Sequence, residues 1–390
     1  SLTISYDGTN HLGAWSGSLT LTSDSHQNGS LVLPLSAVIA YPPSPYGSLQ
    51  LATILDNDNG GAVFAKGIAS MVAGNFDLDP EMEIAVVSEA ATYQDVYHPS
   101  ALAVWDRVGL AWERVYVDTA PGNVAIIKNI VAADFDGDGR EEIAVAASSK
   151  ADEGISNGGV YVYDYSAGSY SIATTIRSNS GAKDGLAVGD RDKDGNLELV
   201  FFEKNDYNAS IYARVYEFER TSGLSFTQRW VSPDIVEFDH PDDPVSFVSG
   251  LTIADSDGDG TNEILFMAST GILRAYEGDS HTLMLSLHED SFGFEDRWDA
   301  DDRCNLTIAD SDADGRPEII IVSEDSDRLY VIESTGNNSY NLESPFIVEG
   351  LENRNVVLVD DMNANGSLEI ITLGDDLNAT QHIEIFEHFA

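Results

Sequence analysis

One nine-residue segment, Asp134–Phe135–Asp136–Gly137–Asp138–Gly139–Arg140–Glu141–Glu142, returns along the chain and constrains the fold more than any other feature. It sets carboxylates at positions 1, 3, 5 and 9, with glycine at position 6. Three copies keep that pattern. They are Asp190, Asp192, Asp194 and Glu198 around Gly195; Asp255, Asp257, Asp259 and Glu263 around Gly260; and Asp310, Asp312, Asp314 and Glu318 around Gly315. Two looser copies flank them: Asn75, Asp77, Asp79 and Glu83, where Pro80 replaces the glycine, and Asp361, Asn363, Asn365 and Glu369 around Gly366. Hard cations such as Ca2+ take six to eight oxygen ligands at flexible geometry, which alternating carboxylates on a tight turn supply. Glycine at position 6 permits the positive φ of a sharp reversal. Apolar runs on both sides, Ile130–Ala133 and Ile143–Ala147, make each copy a strand–loop–strand hairpin, not the helix–loop–helix of an EF-hand.

The copies begin at residues 75, 134, 190, 255, 310 and 361, about 57 residues apart. Each interval carries the same order. A first strand leads into the loop, a strongly apolar second strand follows it, the third is rich in aromatics and the fourth is more polar. Four short strands in a repeat of this length describe a propeller blade. The fold expected is therefore all-β, a six-bladed β-propeller of four-stranded blades, with seven as the alternative. The last repeat lacks a fourth strand, and Gln50–Leu55 resembles one, so the simplest closure lends that N-terminal strand to the last blade.

Residues 1–40 differ in character. Gly17–Ser23 alternates as a strand does, Asp24–Gly29 reads as a turn and Ser30–Ile39 as a second strand. Tyr41–Gly47 is a proline-rich linker. The domains expected are a partial β-sandwich over 1–40, the linker over 41–47 and the propeller over 48–390.

Composition narrows the partners. With 20 Lys+Arg against 66 Asp+Glu the net charge is −46, which excludes nucleic acid and anionic membrane surfaces as expected partners. The six loops hold 21 carboxylates, and six divalent ions bring the charge only to −34. A single cysteine, Cys304, rules out an internal disulfide. No apolar run approaches the ~20 residues of a membrane helix.

The repeated segment Ala133–Asp134–Phe135–Asp136–Gly137–Asp138–Gly139–Arg140–Glu141–Glu142–Ile143 resembles the FG-GAP/VCBS repeats of integrin α-subunit propellers and related microbial surface proteins. That resemblance implies Ca2+ in each loop, held through positions 1, 3, 5 and 9 and a backbone carbonyl at position 7. The carbonyls are those of Glu81, Arg140, Asn196, Thr261, Arg316 and Ser367. Position 9 is Glu throughout, where the family commonly has Asp, and the longer arm is expected to reach bidentately. Up to six calcium ions follow, weakest at the first loop, where Pro80 cannot take positive φ, and at the last, which has two carboxylates. Gly17–Ser23 and Leu31–Ser36 resemble the closing strands of immunoglobulin-like surface modules. Sequons begin at Asn28, Asn208, Asn305, Asn337, Asn365 and Asn378, so a glycoprotein is compatible with the sequence.

No HExxH, GxSxG, P-loop or CxxC is present, and the eight histidines are scattered, so catalysis is not expected. Tyr93, Tyr97, Trp105, Trp112, Trp230 and Trp298 read as blade packing rather than sugar platforms. Extracellular calcium modules bind at ~0.1–1 mM, so such loops fill outside cells and not in cytosol. The expectation is an extracellular, calcium-stabilised structural or adhesive module that contacts proteins or self-assembles. The alternatives are a filament or surface-layer subunit completed by a neighbour's strands, and a carbohydrate-binding or polysaccharide-cleaving propeller.

Overall fold

The computed structural model describes residues 13–22, 30–39, 68–77, 79, 81–88, 91–93, 96–98, 100–108, 111–119, 126–148, 158–179, 182–205, 212–236, 248–268, 272–278, 280–288, 304–323, 328–342, 346–347, 351–352, 357–360, 368–376 and 381–387. The linker at 41–47, the strand expected at Gln50–Leu55, Pro80, Trp298 and the last loop through Ser367 lie outside these residues.

Two compact units divide the chain. In the first, Gly13–Thr22 pairs antiparallel with Ser30–Ile39 over ten residue pairs, the hairpin expected from the alternation. The second holds six antiparallel sheets of four or five strands and one two-stranded hairpin among the described residues. In the first of these, Ile68–Gly74, Glu83–Ser88, Ala101–Val108 and Ala111–Thr119 follow one another across the sheet. The second sheet repeats the order with Ile126–Ala133, Glu142–Ser148, Gly158–Ser166 and Ser169–Asn179. The third runs Ala182–Gly189, Glu198–Asn205, Tyr212–Ser222 and Ser225–Val231. The fourth runs Val248–Ala254, Glu263–Ala268, Ile272–Glu277 and Thr282–His288. The fifth runs Cys304–Ala309, Glu318–Ser323, Arg328–Gly336 and Ser339–Leu342, with Phe346–Ile347 added beside its third strand. The sixth orders Val357–Asp360, Glu369–Asp376 and Gln381–Glu387, with Leu351–Glu352 paired to the end of its second strand.

The sheets pack face to face in chain order. Period-two alternation sends the two sides of each second strand to different neighbours. In Glu142–Ser148, Ile143, Val145 and Ala147 pack with Val87, Leu102 and Val104 of the first sheet. Ala144 and Ala146 pack with Leu199 and Phe201 of the third. The same division joins the third sheet to the fourth, the fourth to the fifth and the fifth to the sixth. A strand buried on both faces has no solvated side, which is why these segments read as unbroken apolar runs. The first strands of consecutive sheets also contact one another in chain order, so the loops that follow them become neighbours.

One expectation is corrected. Tyr93 and Tyr97, read as blade aromatics, sit on a separate two-stranded hairpin, Ala91–Tyr93 with Val96–His98, inserted between the second and third strands of the first sheet. The insertion keeps its own alternation, so sequence alone did not separate it from the blade.

Candidate cation-binding loops

Each loop is a lattice of side chain to backbone hydrogen bonds repeated almost atom for atom. The amide of position 6 donates to the position-1 aspartate, as Gly139 to Asp134 Oδ2 (2.9 Å), Gly195 to Asp190 Oδ2 (3.0 Å), Gly260 to Asp255 Oδ2 (2.9 Å) and Gly315 to Asp310 Oδ2 (3.0 Å). The amide of position 5 donates to Oδ1 of position 3, at 2.8 Å from Asp79 to Asp77 and 3.0 Å from Asp314 to Asp312. The amide of position 7 donates to Oδ1 of position 5, at 3.0 Å from Glu81 to Asp79 and 2.7 Å from Thr261 to Asp259. These bonds hold the carboxylates on the inner side of the turn. The position-6 glycines take φ of 88–93°, as the sequence pattern requires. Position 4 is left-handed as well, and in two loops it is not glycine: Lys193 and Ala313 have φ of 58° and 60°.

Position 9 carries the clearest signal. The glutamates Glu83, Glu142, Glu198, Glu263 and Glu318 are at most 2% exposed. Each accepts the position-2 amide on Oε2: Phe76 at 2.6 Å, Phe135 at 2.8 Å, Arg191 at 2.5 Å, Ser256 at 2.7 Å and Ser311 at 2.5 Å. In all five, Oε1 has no hydrogen-bond partner. Buried polar atoms are nearly always paired, so five equivalent orphans at one position mark a missing partner. One oxygen is thus a strut to the backbone and the other is left without a protein partner. Burial pushes these acids up, with the loop aspartates adding to it. Glu83 rises to about 7, chiefly by burial and then by Asp77, Asp106 and Asp79. Glu142, Glu198 and Glu263 each rise to about 8, burial again first.

Oxygens of Asp310, Asp312, Asp314 and Glu318 lie within 4.8 Å of one another, as do those of Asp77, Asp79 and Glu83. In the second loop Asp134, Asp136 and Glu142 form such a group. Asp138 is taken by the guanidinium of Arg140, with Nε at 3.1 Å, and this bond holds its carboxyl below the usual range. In the third loop Asp190, Asp192 and Asp194 gather, and a second group joins Asp192 and Glu198 to Glu219. In the fourth, Asp257 Oδ2 accepts the amide of Asn338 at 2.6 Å and Asp259 Oδ2 accepts Asn337 Nδ2 at 2.5 Å. Of the last set only Glu369 is among the described residues; Asp361, Asn363, Asn365 and Ser367 are not. The donor set elsewhere is all oxygen, hard and flexible, and fits Ca2+.

The second, third and fourth loops are also tied to the next sheet's hairpin, which the sequence did not disclose. Phe135 lies edge-on to Phe226 at 5.5 Å. Ser256 Oγ meets Tyr340 Oη at 2.8 Å, and Arg220 Nη2 donates to the carbonyl of Asp136 at 2.5 Å. In the third loop, buried Arg191 donates from Nε to Glu217 Oε1 at 2.6 Å, and His281 of the fourth sheet bonds the other oxygen of Glu217. Burial works against the Glu217 charge, but the bonds from His281 and Arg191 outweigh it and its pKa falls below the ordinary value. The sequence signal for this arrangement was an arginine at position 2 of one loop, where two others have phenylalanine.

Four-stranded antiparallel sheets, packed in chain order and each with an acidic loop between its first two strands, define a repeat protein of the β-propeller class. Within that class, residues 134–201 match the FG-GAP-like repeat family, a span from the second loop to the second strand of the third sheet. Solved structures similar to the chain include BBS1N in complex with ARL6DN, at 10% identity and a TM-score of 0.49, covering 83% of this chain and 80% of that one. The Dos1 propeller is similar at 8% identity and a TM-score of 0.48, covering 90% and 83%. A Bacillus licheniformis rhamnogalacturonan lyase is similar at 13% identity and a TM-score of 0.39, covering 98% and 81%. No curated protein matches the chain.

Proposed function

We propose that this protein is a non-catalytic, calcium-stabilised extracellular β-propeller that acts as a structural or adhesive protein-interaction module. The observation that carries the reading is the fivefold recurrence of a buried position-9 Oε1 without a partner, facing aspartates held inward by the backbone. Asp134, Asp136, Asp190, Asp192, Asp194, Asp255, Asp257, Asp259, Asp310, Asp312, Asp314, Asp77 and Asp79 would hold the ions with those glutamates. When bound, the ion supplies positive charge that lets the carboxylates ionise, and it ties two strands of one sheet together. Binding to the folded state alone stabilises by about 2.7 kcal/mol per site when the ion stands 100-fold above Kd. Millimolar calcium outside cells supports the extracellular assignment. Net charge stays at −34 with six ions bound, which favours basic partner surfaces. The N-terminal hairpin has no third strand among the described residues, and a lone hairpin is marginal in water. This supports a sandwich segment completed by other strands. The test is thermal unfolding and limited proteolysis with calcium and after chelation. The midpoint rises with calcium and cutting near Asp134 and Asp255 is suppressed; an unchanged digest rejects the proposal.

A further inference from the structure

The loops do not contain all the acids that converge on them. In every sheet the residue opposite position 9 on the third strand is acidic. Three pairs stand in register directly: Glu198 with Glu219, Glu318 with Glu333 and Glu369 with Glu387. In the other three the ladder, continued by one residue past Ile84–Trp105, Ile143–Tyr163 and Ile264–Tyr276, sets Glu83 beside Asp106, Glu142 beside Asp164 and Glu263 beside Glu277. Like charges directly opposite on a sheet destabilise it, so six such pairs need a reason.

The surroundings of these acids supply one. Asp106 is 8% exposed and its Oδ1 has no partner, beside the orphaned Oε1 of Glu83 and the charges of Asp77 and Asp79. Asn75 Oδ1 and the hydroxyl of Tyr170, 5% exposed, are unpartnered at the same loop. Glu318 and Glu333 face each other closely enough for their carboxyls to hydrogen-bond, and no other group partners the Oε1 of either. Glu219, 6% exposed, brings an oxygen within 4.8 Å of those of Asp192 and Glu198. By contrast Glu277 is already occupied, accepting Asn338 Nδ2 at 2.7 Å, and Glu219 accepts from the guanidinium of Arg229 on its Oε1.

We propose that the third-strand acid is a ligand in its own right: Asp106 for the first loop and Glu333 for the fifth each give an oxygen to the divalent cation of the same sheet. This rests on the loops taking a cation, as proposed above. It reverses the rank expected for the first loop, which gains from Asp106 the charge that Asn75 lacks. The strand acid also makes the site a joint between three strands, because the loop links the first two and the acid belongs to the third.

Equilibrium dialysis against radioactive calcium, on the full chain at the free concentration that half-fills it, tests this with three single variants. Asp106→Asn and Glu333→Gln each weaken one site about tenfold, since affinity follows ligand charge count, and the bound-ion count falls. Glu277→Gln keeps the count of the unaltered protein. In ion-free buffer above about pH 8, where the pair is forced to ionise, Glu333→Gln melts above the unaltered protein because its repulsion with Glu318 is gone, a sign that simple loss of packing does not give. Unchanged binding by Asp106→Asn and Glu333→Gln overturns the inference and leaves the loops intact as sites. An equal loss with Glu277→Gln overturns it too, and uptake of no calcium by the unaltered protein sinks both readings.

Discussion

Stripping divalent cations is expected to make the fold prefer acid. In the ion-free protein Glu142, Glu198 and Glu263 hold their protons up to about 8 and Glu83 to about 7, against an ordinary 4.5. These are acids whose folded pKa is raised. Below the unfolded value both states are protonated and nothing is lost. As pH climbs between the two values, the unfolded chain gives up protons that the folded state keeps, and stability falls. Each group fully in that window contributes about 1.4 kcal/mol per pH unit, and four approach about 5 kcal/mol per unit. Local opening of a loop lets its glutamate ionise without global unfolding, which brings the net slope to about 2–3 kcal/mol per unit. A domain stable by ~5–15 kcal/mol loses much of that over two units. The assay is urea unfolding of resin-stripped protein from about pH 5 to about pH 8, with and without millimolar calcium. The ion-free midpoint falls steeply with pH, and the calcium-loaded midpoint stays nearly flat because the ion holds the carboxylates ionised. Glu142→Gln removes about a quarter of the ion-free slope. An ion-free midpoint that is level or rises with pH refutes the reasoning, since it means that the position-9 acids are already ionised without a cation.

Other perturbations separate the loops from their supports. Arg191→Met strands the fully buried Glu217 with His281 alone and is expected to cost about 3–5 kcal/mol in urea unfolding, with Glu217→Gln recovering part of it in the double variant. The Glu217 carboxyl acts in the opposite pH window: its folded pKa is depressed, so its stabilisation is present above about 4.5 and is lost as pH falls through the folded value. Gly139→Ala costs about 1–2 kcal/mol by conformation alone, because φ is 93° and an added Cβ meets nothing within 4 Å. Ala313→Gly relieves the same strain at position 4 and raises stability by up to about 1 kcal/mol; a loss of stability there argues against the left-handed geometry.

Much of the architecture was legible because it repeats. Carboxylates at alternate positions, glycine at φ near 90° and apolar runs on either side are local demands, and each of four loops states them separately. What escaped the reading depends on pairing across strands. Trp105–Asp106, Tyr163–Asp164, Phe218–Glu219, Tyr276–Glu277, Ile332–Glu333 and Phe386–Glu387 recur as an apolar residue followed by an acid, a signal present in the sequence. Taken singly each is an ordinary strand end; only the register against position 9 shows that two acids meet. Arg191, Glu217 and His281 come from segments up to 90 residues apart, and no local pattern joins them. The left-handed Lys193 and Ala313 were hidden because neither residue type announces positive φ.

The choice of glutamate at position 9 follows from the same geometry. An aspartate there has one carbon fewer between the backbone and its oxygens. The observed glutamates use that carbon to bond the position-2 amide seven residues earlier at 2.5–2.8 Å, across the mouth of the loop. The strut keeps the turn closed in the absence of a ligand, and its second oxygen still lies among the aspartates. Since that strut sits opposite another acid on the third strand, closing the loop also brings like charges together. Shape is therefore set by the polypeptide, and on the reading proposed above charge balance is left to the ion: protons neutralise the buried acids until a cation replaces them. On the calcium reading proposed above, the stability of such a protein follows the calcium concentration around it, without any change of fold.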